Sequence, residues 1–388
     1  MISENTIVFG KPRFSKKEIN SVIKTLKTGW VGTGKKTLEF EKKFLEYKKS
    51  KYGVALNSCT SAIHLSLILS RIKKGDEVIV TSLTFCSTVN AIVNIGAIPV
   101  LIDINLDNLQ INENLIERKI TKKTKAIIVV HAHGYPSEMK KIMKLKKKYS
   151  LKLIEDCAHA IETQFYNKHT GTFGDFGCFS FYSTKNITTV EGGMLICKNK
   201  ADATKARMLS LHGMTKDAFK RFSKKKYIHY DVLFPGFKYN LTDLNASIGI
   251  EQLKDIEKKY LKRKIIWKRY QKAFKNTNFI TPINNSSKIK HAYHLYFLRL
   301  KNNFNLTRDD VMTKLHELGV GTGLHYQAIP DLSFYKKKFL RNENDFQNSI
   351  IFGRMSFSIP LTPYLKESEI NKIIKSVLYI NKLLKTKK

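Results

Sequence analysis

Leu153-Ile154-Glu155-Asp156-Cys157-Ala158-His159 is an apolar run closed by two acids, with a histidine three residues beyond the second acid. The apolar part has the length of a strand buried in a sheet, and the acids stand where that strand leaves it. By itself the segment reads either as a strand surfacing into solvent or as a carboxylate held at the mouth of the sheet. Outward from it, short β-branched runs recur at Gly53–Leu56, Glu77–Thr81, Pro99–Asp103, Ala126–Val130, Leu151–Glu155, Cys178–Phe181 and Met194–Cys197. Helical patterns such as Ser61–Ser70 and Ser137–Lys148 separate several of them. This alternation predicts an α/β layer with a mostly parallel sheet, whose ligands sit at the carboxyl ends of the strands. From about Leu253 the texture changes. Lys254–Thr277 predicts one long charged helix, His294–Arg299 a strand, Thr307–Leu318 a helix with Thr307 as its N-cap, and Lys366–Leu384 a terminal helix. The chain thus divides into a large domain over 1–252 and a smaller α+β domain over 253–388.

Two further segments share the polar edge of that sheet. In Phe179-Ser180-Phe181-Tyr182-Ser183-Thr184-Lys185-Asn186, followed by Glu191-Gly192-Gly193, a lysine sits in a polar turn after a strand. One loop lysine in so lysine-rich a chain is ordinarily a solvated charge. In Asn57-Ser58-Cys59-Thr60-Ser61-Ala62-Ile63-His64, small polar residues join a strand to a helix. Free N–H groups and hydroxyls there suit a phosphate, although an ordinary Ser/Thr cap uses the same residues. No GxGxxG or GxxxxGK[ST] occurs, so a dinucleotide or P-loop site has little support. Together, a phosphate cradle, an acid at a strand end and a lysine about 30 residues later are the parts that pyridoxal phosphate (PLP) requires: the lysine forms a Schiff base and the acid pairs with the ring nitrogen.

Composition narrows the setting. Five scattered cysteines with no CxxC pair point to reduced thiols, not a disulfide framework or a zinc site, and no metal is expected. No run approaches the roughly 20 apolar residues of a membrane span, and Met1–Lys11 lacks a signal-like apolar core, so a cytoplasmic protein is expected. Lys and Arg number 69 against 32 Asp and Glu, a net charge of +37. Such a surface attracts nucleic acid, anionic membranes or anionic small molecules. The lysines are spread in short clusters, Lys140-Lys141, Lys146–Lys148, Lys224–Lys226 and Lys336–Lys338. That dispersal favours solvated faces over a dedicated nucleic-acid or membrane partner.

The chain resembles the DegT/StrS family of PLP-dependent sugar aminotransferases over nearly its whole length. The resemblance is carried by Gly29-Trp30-Val31-Gly32-Thr33-Gly34, the Asn57–His64 segment, Ser82-Leu83-Thr84-Phe85, Glu155–Ala160, Phe179–Gly193, Tyr239-Asn240-Leu241-Thr242-Asp243 and Gly321-Thr322-Gly323-Leu324-His325-Tyr326. Pro235–Asp243 and the Gly-Thr-Gly-Leu-His run are most similar to the ArnB-type branch, which aminates the 4-keto group of a UDP-pentose. The resemblance implies an aspartate-aminotransferase-like fold (fold type I), with a mostly parallel seven-stranded sheet and a smaller C-terminal domain. It implies Lys185 as the Schiff-base lysine and Asp156 as the acid at the ring nitrogen. His159 then falls near the ring hydroxyl and Phe85 stacks on the ring. Thr60, Ser61 and Ser180 contact the phosphate, and Asn240 reaches it from a neighbouring subunit, which implies a homodimer with shared sites. His325, Tyr326 and Trp30 fall near substrate. Cys59, Cys157 and Val190 depart from the usual residues without removing a reacting group, and Lys185 stands where related dehydratases carry histidine.

The expected reaction is transamination of a nucleotide-linked 4-keto sugar, with glutamate as donor and 2-oxoglutarate as by-product. The amino sugar would serve a surface polysaccharide such as lipopolysaccharide, or another glycoconjugate. Two alternatives stand beside it: another PLP reaction, such as 3-keto transamination or dehydration, and a non-catalytic regulatory or anion-binding protein on the same fold. Intact Lys185, Asp156 and cradle residues, with no helix-turn-helix extension, favour the enzyme.

Overall fold

The computed structural model describes residues 6–215, 229–284, 286–301, 304–339 and 342–385, so the Lys224–Lys226 cluster lies outside the described residues. A seven-stranded sheet forms the centre. Its strands are β1 (Tyr52–Leu56), β2 (Glu77–Thr81), β3 (Ile98–Ile102), β4 (Thr124–Val130), β5 (Lys152–Asp156), β6 (Phe176–Ser180) and β7 (Gly193–Cys197), in the order β1-β7-β6-β5-β4-β2-β3. β2 pairs in parallel with β3 and β4, β4 with β5, and β5 with β6, while β7 runs antiparallel between β1 and β6. The interior strands are buried on both faces, because helices cover both sides, and they therefore read as continuous apolar runs. The seven sequence-read strands occur within a few residues of their expected bounds.

Helix α1 (Lys16–Lys27) starts at a Ser15–Glu18 capping box, and α2 (Lys35–Lys48) follows it. Helix α3 (Cys59–Leu69) leaves β1 with Ser58 as its N-cap, and α4 (Cys86–Asn94) leaves β2 after Phe85. The expected helix over Lys254–Thr277 is present within three residues of its bounds, and a further helix that was not expected precedes it. Helix α5 (Asp243–Lys254), capped by the Thr242 hydroxyl, turns at Asp255 into α6 (Ile256–Phe274). Downstream, α7 (Arg308–Glu317) has Thr307 at its N-cap in a capping box with Asp310, and α8 (Glu367–Leu383) ends the described chain.

A second core gathers Tyr260, Trp267, Tyr270 and Phe274 of α6 with Val311, Leu315, Ile373 and Val377 of α7 and α8. They pack on a three-stranded sheet of β8 (Phe279–Ile280), β9 (Tyr296–Leu300) and β10 (Ser356–Ile359), in that order. The two cores exchange segments. Ile7 joins the second core and bridges to Val320, whereas Ile329, Tyr335 and Phe346 pack into the core of the central sheet. Lysine clusters fall on separate solvent-facing elements: Lys141 and Lys148 pair with Glu113 and Glu117, and Lys336 with Glu343. No described helix is long and apolar enough to cross a membrane.

Candidate active site

Loops at the carboxyl ends of β1, β2, β5 and β6 meet segments of the second core around a cavity of about 660 Å³. β7 is antiparallel, so its first residue, Gly193, arrives at this same edge opposite Leu56 and Ser180. A Cβ on Gly193 would lie 2.3 Å from the Ser58 carbonyl oxygen. Only glycine lets β7 close against the start of α3, which is the physical content of the Gly-Gly in the sequence.

Asp156 is the last residue of β5 and is 4% exposed. Its Oδ2 accepts from the Thr88 hydroxyl at 2.8 Å and its Oδ1 from the Ala158 N–H at 3.0 Å. Burial raises its carboxyl above the ordinary value, opposed by those two donors and by Lys185 and His131. Glu155, one residue earlier, points to the other face. There it is saturated by the N–H groups of Gly171, Phe173 and Gly174 at 2.7–2.8 Å and by His131 Nε2 at 3.0 Å. His131 Nδ1 accepts from the Ser137 N–H, so Nε2 carries the ring proton and offers no lone pair. The buried His131 and Glu155 are therefore a hydrogen-bonded pair, although their ligand atoms and the Cys157 sulfur lie close enough for a metal.

Lys185 sits in the turn between β6 and β7, its N–H donating to the Tyr182 carbonyl at 3.0 Å. Burial pushes its ammonium down to about 8, against the opposing pull of Cys59 and Asp156. A lysine tuned this way loses its proton near neutrality, as a nucleophile or proton carrier requires. His159 is buried beside it. Its Nδ1 accepts from the His133 N–H at 3.3 Å, so Nε2 carries the proton toward the Tyr326 hydroxyl at 2.8 Å. Burial and then the Lys185 charge hold His159 well below the usual histidine range. Burial, again with Lys185, brings His325 down to about 3, and its Nδ1 lies 3.1 Å from the Ser358 hydroxyl.

Phe85 opens α4 and is 55% exposed into the cavity, its ring centroid 5.7 Å from that of Tyr326. Across the cavity α3 begins. The Ser58 hydroxyl accepts from the Ser61 N–H at 3.0 Å, the Ser61 hydroxyl donates to Asn57 Oδ1 at 2.6 Å, and Thr60 stays exposed. Ser180 ends β6 on the same wall. Of the residues singled out in the sequence, Thr60, Phe85, Asp156, His159, Ser180, Lys185, His325 and Tyr326 line this one cavity, with Ser61 directly behind Thr60. Trp30 lines a separate cavity with Lys24 and Asp243. Asn240 lies behind β1, bridged to Leu56, and its amide donates to the Thr33 hydroxyl at 2.7 Å.

Sequence reading missed Thr88, His294, Phe9 and Gly10. Thr88 lies one turn beyond Phe85 on α4, a spacing that could have pointed to it. Phe9, Gly10 and His294 reach the wall from remote segments with no local signal. The donor set suits PLP: a buried acid for the ring nitrogen, an amine of lowered pKa, an exposed aromatic face, and hydroxyls at a helix start for the phosphate.

A sequence model of the DegT/DnrJ/EryC1/StrS aminotransferase family matches residues 12–378. Spore coat polysaccharide biosynthesis protein SpsC of Bacillus subtilis is 38% identical over 372 residues, covering 95% of each chain. The putative sugar aminotransferase Spr1654 of Streptococcus pneumoniae, in its PMP form, superposes with a TM-score of 0.90 at 29% identity, covering 97% of this chain and 99% of that one. Helicobacter pylori PseC, an aminotransferase involved in the biosynthesis of pseudoaminic acid, gives 0.89 at 27% identity, covering 97% and 100%. Spr1654 is also solved in a PLP form. With an acid, a low-pKa lysine and a phosphate-suited helix start converging on one cavity, this chain belongs to the DegT/DnrJ/EryC1/StrS aminotransferase family of PLP-dependent sugar aminotransferases.

Proposed function

We propose that the enzyme transaminates a nucleotide-linked 4-keto sugar, UDP-linked by preference, with glutamate as amino donor, for a surface polysaccharide or glycoconjugate. The observation that carries this reading is the convergence of Lys185 and Asp156 on a cavity of about 660 Å³, large enough for a cofactor and a sugar together. When bound, PLP supplies a ring that draws off the electron pair released at the carbon carrying the transferred nitrogen. The chain's own residues do the rest. Lys185 anchors the cofactor, then serves as base and acid, moving one proton between two carbons on the same face. Asp156, fixed by Thr88 and Ala158, keeps a proton on the ring nitrogen. Phe85 covers the ring, and His159, held by Tyr326, faces its hydroxyl. Thr60, Ser61 and Ser180 take the phosphate.

His325 and Tyr326 are assigned to the sugar nucleotide; Trp30, expected beside them, lines a separate cavity within this chain. Asn240 is assigned to the partner's phosphate across a homodimer interface, and its buried Oδ1 has no hydrogen-bond partner among the described residues. In the same reading the domains divide at 252/253, and the reaction takes place in the cytoplasm, where the five free thiols stay reduced. The test is a panel of UDP-, GDP- and dTDP-linked 4-keto sugars offered with L-glutamate and read by mass spectrometry. An amino sugar from a UDP substrate is expected. Turnover of 3-keto sugars alone, or loss of a hydroxyl without gain of nitrogen, would overturn the assignment.

A further inference from the structure

Asn186, directly after Lys185, is held by three partners from two other segments. Its Nδ2 donates to Glu162 Oε2 at 2.8 Å and to the Ala292 carbonyl at 3.3 Å, and its Oδ1 lies 2.9 Å from His294 Nδ1. Both Nδ2 partners are acceptors only, which fixes the amide's orientation and places a proton on His294 Nδ1. Glu162 belongs to the loop that leaves β5 after Asp156 and His159. Its other oxygen accepts from Arg263 of α6 at 2.5 Å, with Glu162 and Arg263 at 0% and 1% exposure. The His294 ring in turn packs on His159, centroids 4.4 Å apart, and His159 bonds Tyr326. An unbroken chain thus runs from α6 of the second core, through the buried Arg263 and Glu162, to the half-buried Asn186 next to the lysine. Side branches reach the histidine and tyrosine of the cavity wall.

We propose that Asn186 is the positioning residue for Lys185, and that the buried Glu162–Arg263 pair sets it from the second core, so that α6 controls where the Lys185 amine stands in the cavity. This rests on the reading of Lys185 as the cofactor lysine. A lone asparagine side chain in a turn is free to rotate. Here every hydrogen-bonding atom of the side chain is committed, and two of its partners are themselves pinned, Glu162 by a cation that has no solvent to escape into. The turn is also closed within itself, by Lys185 N–H to Tyr182, Thr189 N–H to Phe181 and the Thr188 hydroxyl to Phe181, and is held at its far end by the Asn245 amide of α5, which donates to the Thr189 and Glu191 carbonyls. Asn186 is accordingly the side chain that ties this turn to the second core.

The experiment reads the amine itself, without turnover. Cofactor-free protein is treated with a trace of an amine-reactive aryl sulfonate across a pH range, and labelling of Lys185 is followed by peptide mapping. Burial sets the Lys185 midpoint, opposed by Cys59 of α3 and Asp156 of β5, while His159, His294 and His325 face its charge and are held down by it. In the unaltered protein the midpoint should fall near 8. Asn186→Ala frees the turn, leaves Glu162 with Arg263, and admits water to the amine, so the midpoint should rise by about one pH unit or more. In the cofactor-loaded protein, the pH at which the lysine-bound chromophore changes colour should shift as well. Arg263→Lys, which keeps the cation, should leave both midpoints in place, whereas Arg263→Met should move them in the direction of Asn186→Ala. If Arg263→Met does not fold, the Asn186→Ala midpoint decides alone. A fall in melting temperature with both midpoints unmoved in Asn186→Ala would overturn the proposal. Borohydride trapping in unaltered protein separates the two readings: a cofactor label away from Lys185 removes the underlying assignment, while a label on Lys185 with unmoved midpoints removes only this one.

Discussion

The two faces of the central sheet at the end of β5 carry the same pair of residue types. On one face Glu155 is buried near Lys48; on the other Asp156 is buried near Lys185. Both lysines are pushed down to about 8, and for both burial is the leading cause. Lys48 is 1% exposed, donates to the Ile161 carbonyl at 2.7 Å and sits 4.7 Å above the Phe179 ring. Glu155 takes four donors. A cavity of about 390 Å³ reaches Lys48, but Glu155 does not line it and its hydrogen-bonding capacity is already spent. On the other face Asp156 is held by two close donors and the Cys59 thiol at 3.9 Å, and Lys185 points into space sized for ligands. A lowered lysine pKa therefore does not mark a reactive site. The difference lies in whether the neighbours' hydrogen-bonding capacity is spent.

The largest effect should come from Lys185→Ala. Covalent anchor and proton carrier vanish together, so turnover should drop at least about 1,000-fold, with loss of the lysine-bound chromophore. Mixed with Asn240→Asp subunits and allowed to exchange, it should recover activity, since a mixed dimer holds one site free of both lesions. Confirmed exchange without recovery would show that Asn240 does not act across an interface. Next, Asp156→Asn should lower kcat at least about 100-fold with little change in melting temperature. Glu155→Gln should do the reverse: it turns an amide toward backbone N–H groups, costs about 3 kcal/mol of stability, and leaves kcat of the folded fraction within about threefold. If the two variants trade effects, the division between the faces is wrong.

The smallest effect on activity belongs to Lys48→Met, which should leave kcat within about twofold. Its signature is in stability. Native Lys48 gives up its proton near pH 8, whereas in the unfolded chain it keeps it to about 10.5. Between those values the unfolded state binds more protons, so Lys48 makes the native state more stable as pH rises, by roughly 3 kcal/mol across the window. Chemical denaturation from pH 8 to 10 should show a shallower rise in Lys48→Met. An unchanged slope would mean that Lys48 is not buried as a charge.

Much of this was legible in the chain. The sheet could be read because strands buried on both faces are continuous apolar runs of fixed length, and Glu77–Thr81 was found at its bounds. Lys185, Asp156 and the Asn57–His64 segment could be read because each is local, a strand end followed by polar residues. Helix α5 was not legible: it is buried on most of its faces, so it carries no amphipathic stripe to read. Nor was the separation of Glu155 from Asp156, since two adjacent acids look alike until strand alternation sends them to opposite faces. Arg263 meets Glu162, and His294 meets Asn186, across about 100 residues of sequence, while Glu162 reaches Asn186 from the far side of a loop, and no local pattern reports such contacts.

Ile7 pairs with Val320, and Phe9 and Gly10 beside it form part of the cavity wall. On the ribosome, 313 residues separate the emergence of those two partners. At typical elongation rates of about 5–20 residues per second, the early segment waits roughly 15–60 s for its strand partner. The central sheet can form meanwhile from strands made one after another, but a closed cofactor chamber cannot. Loading with PLP is therefore a post-translational event for this chain, and a nascent chain stalled before Val320 would fold its sheet without a chamber to hold the cofactor.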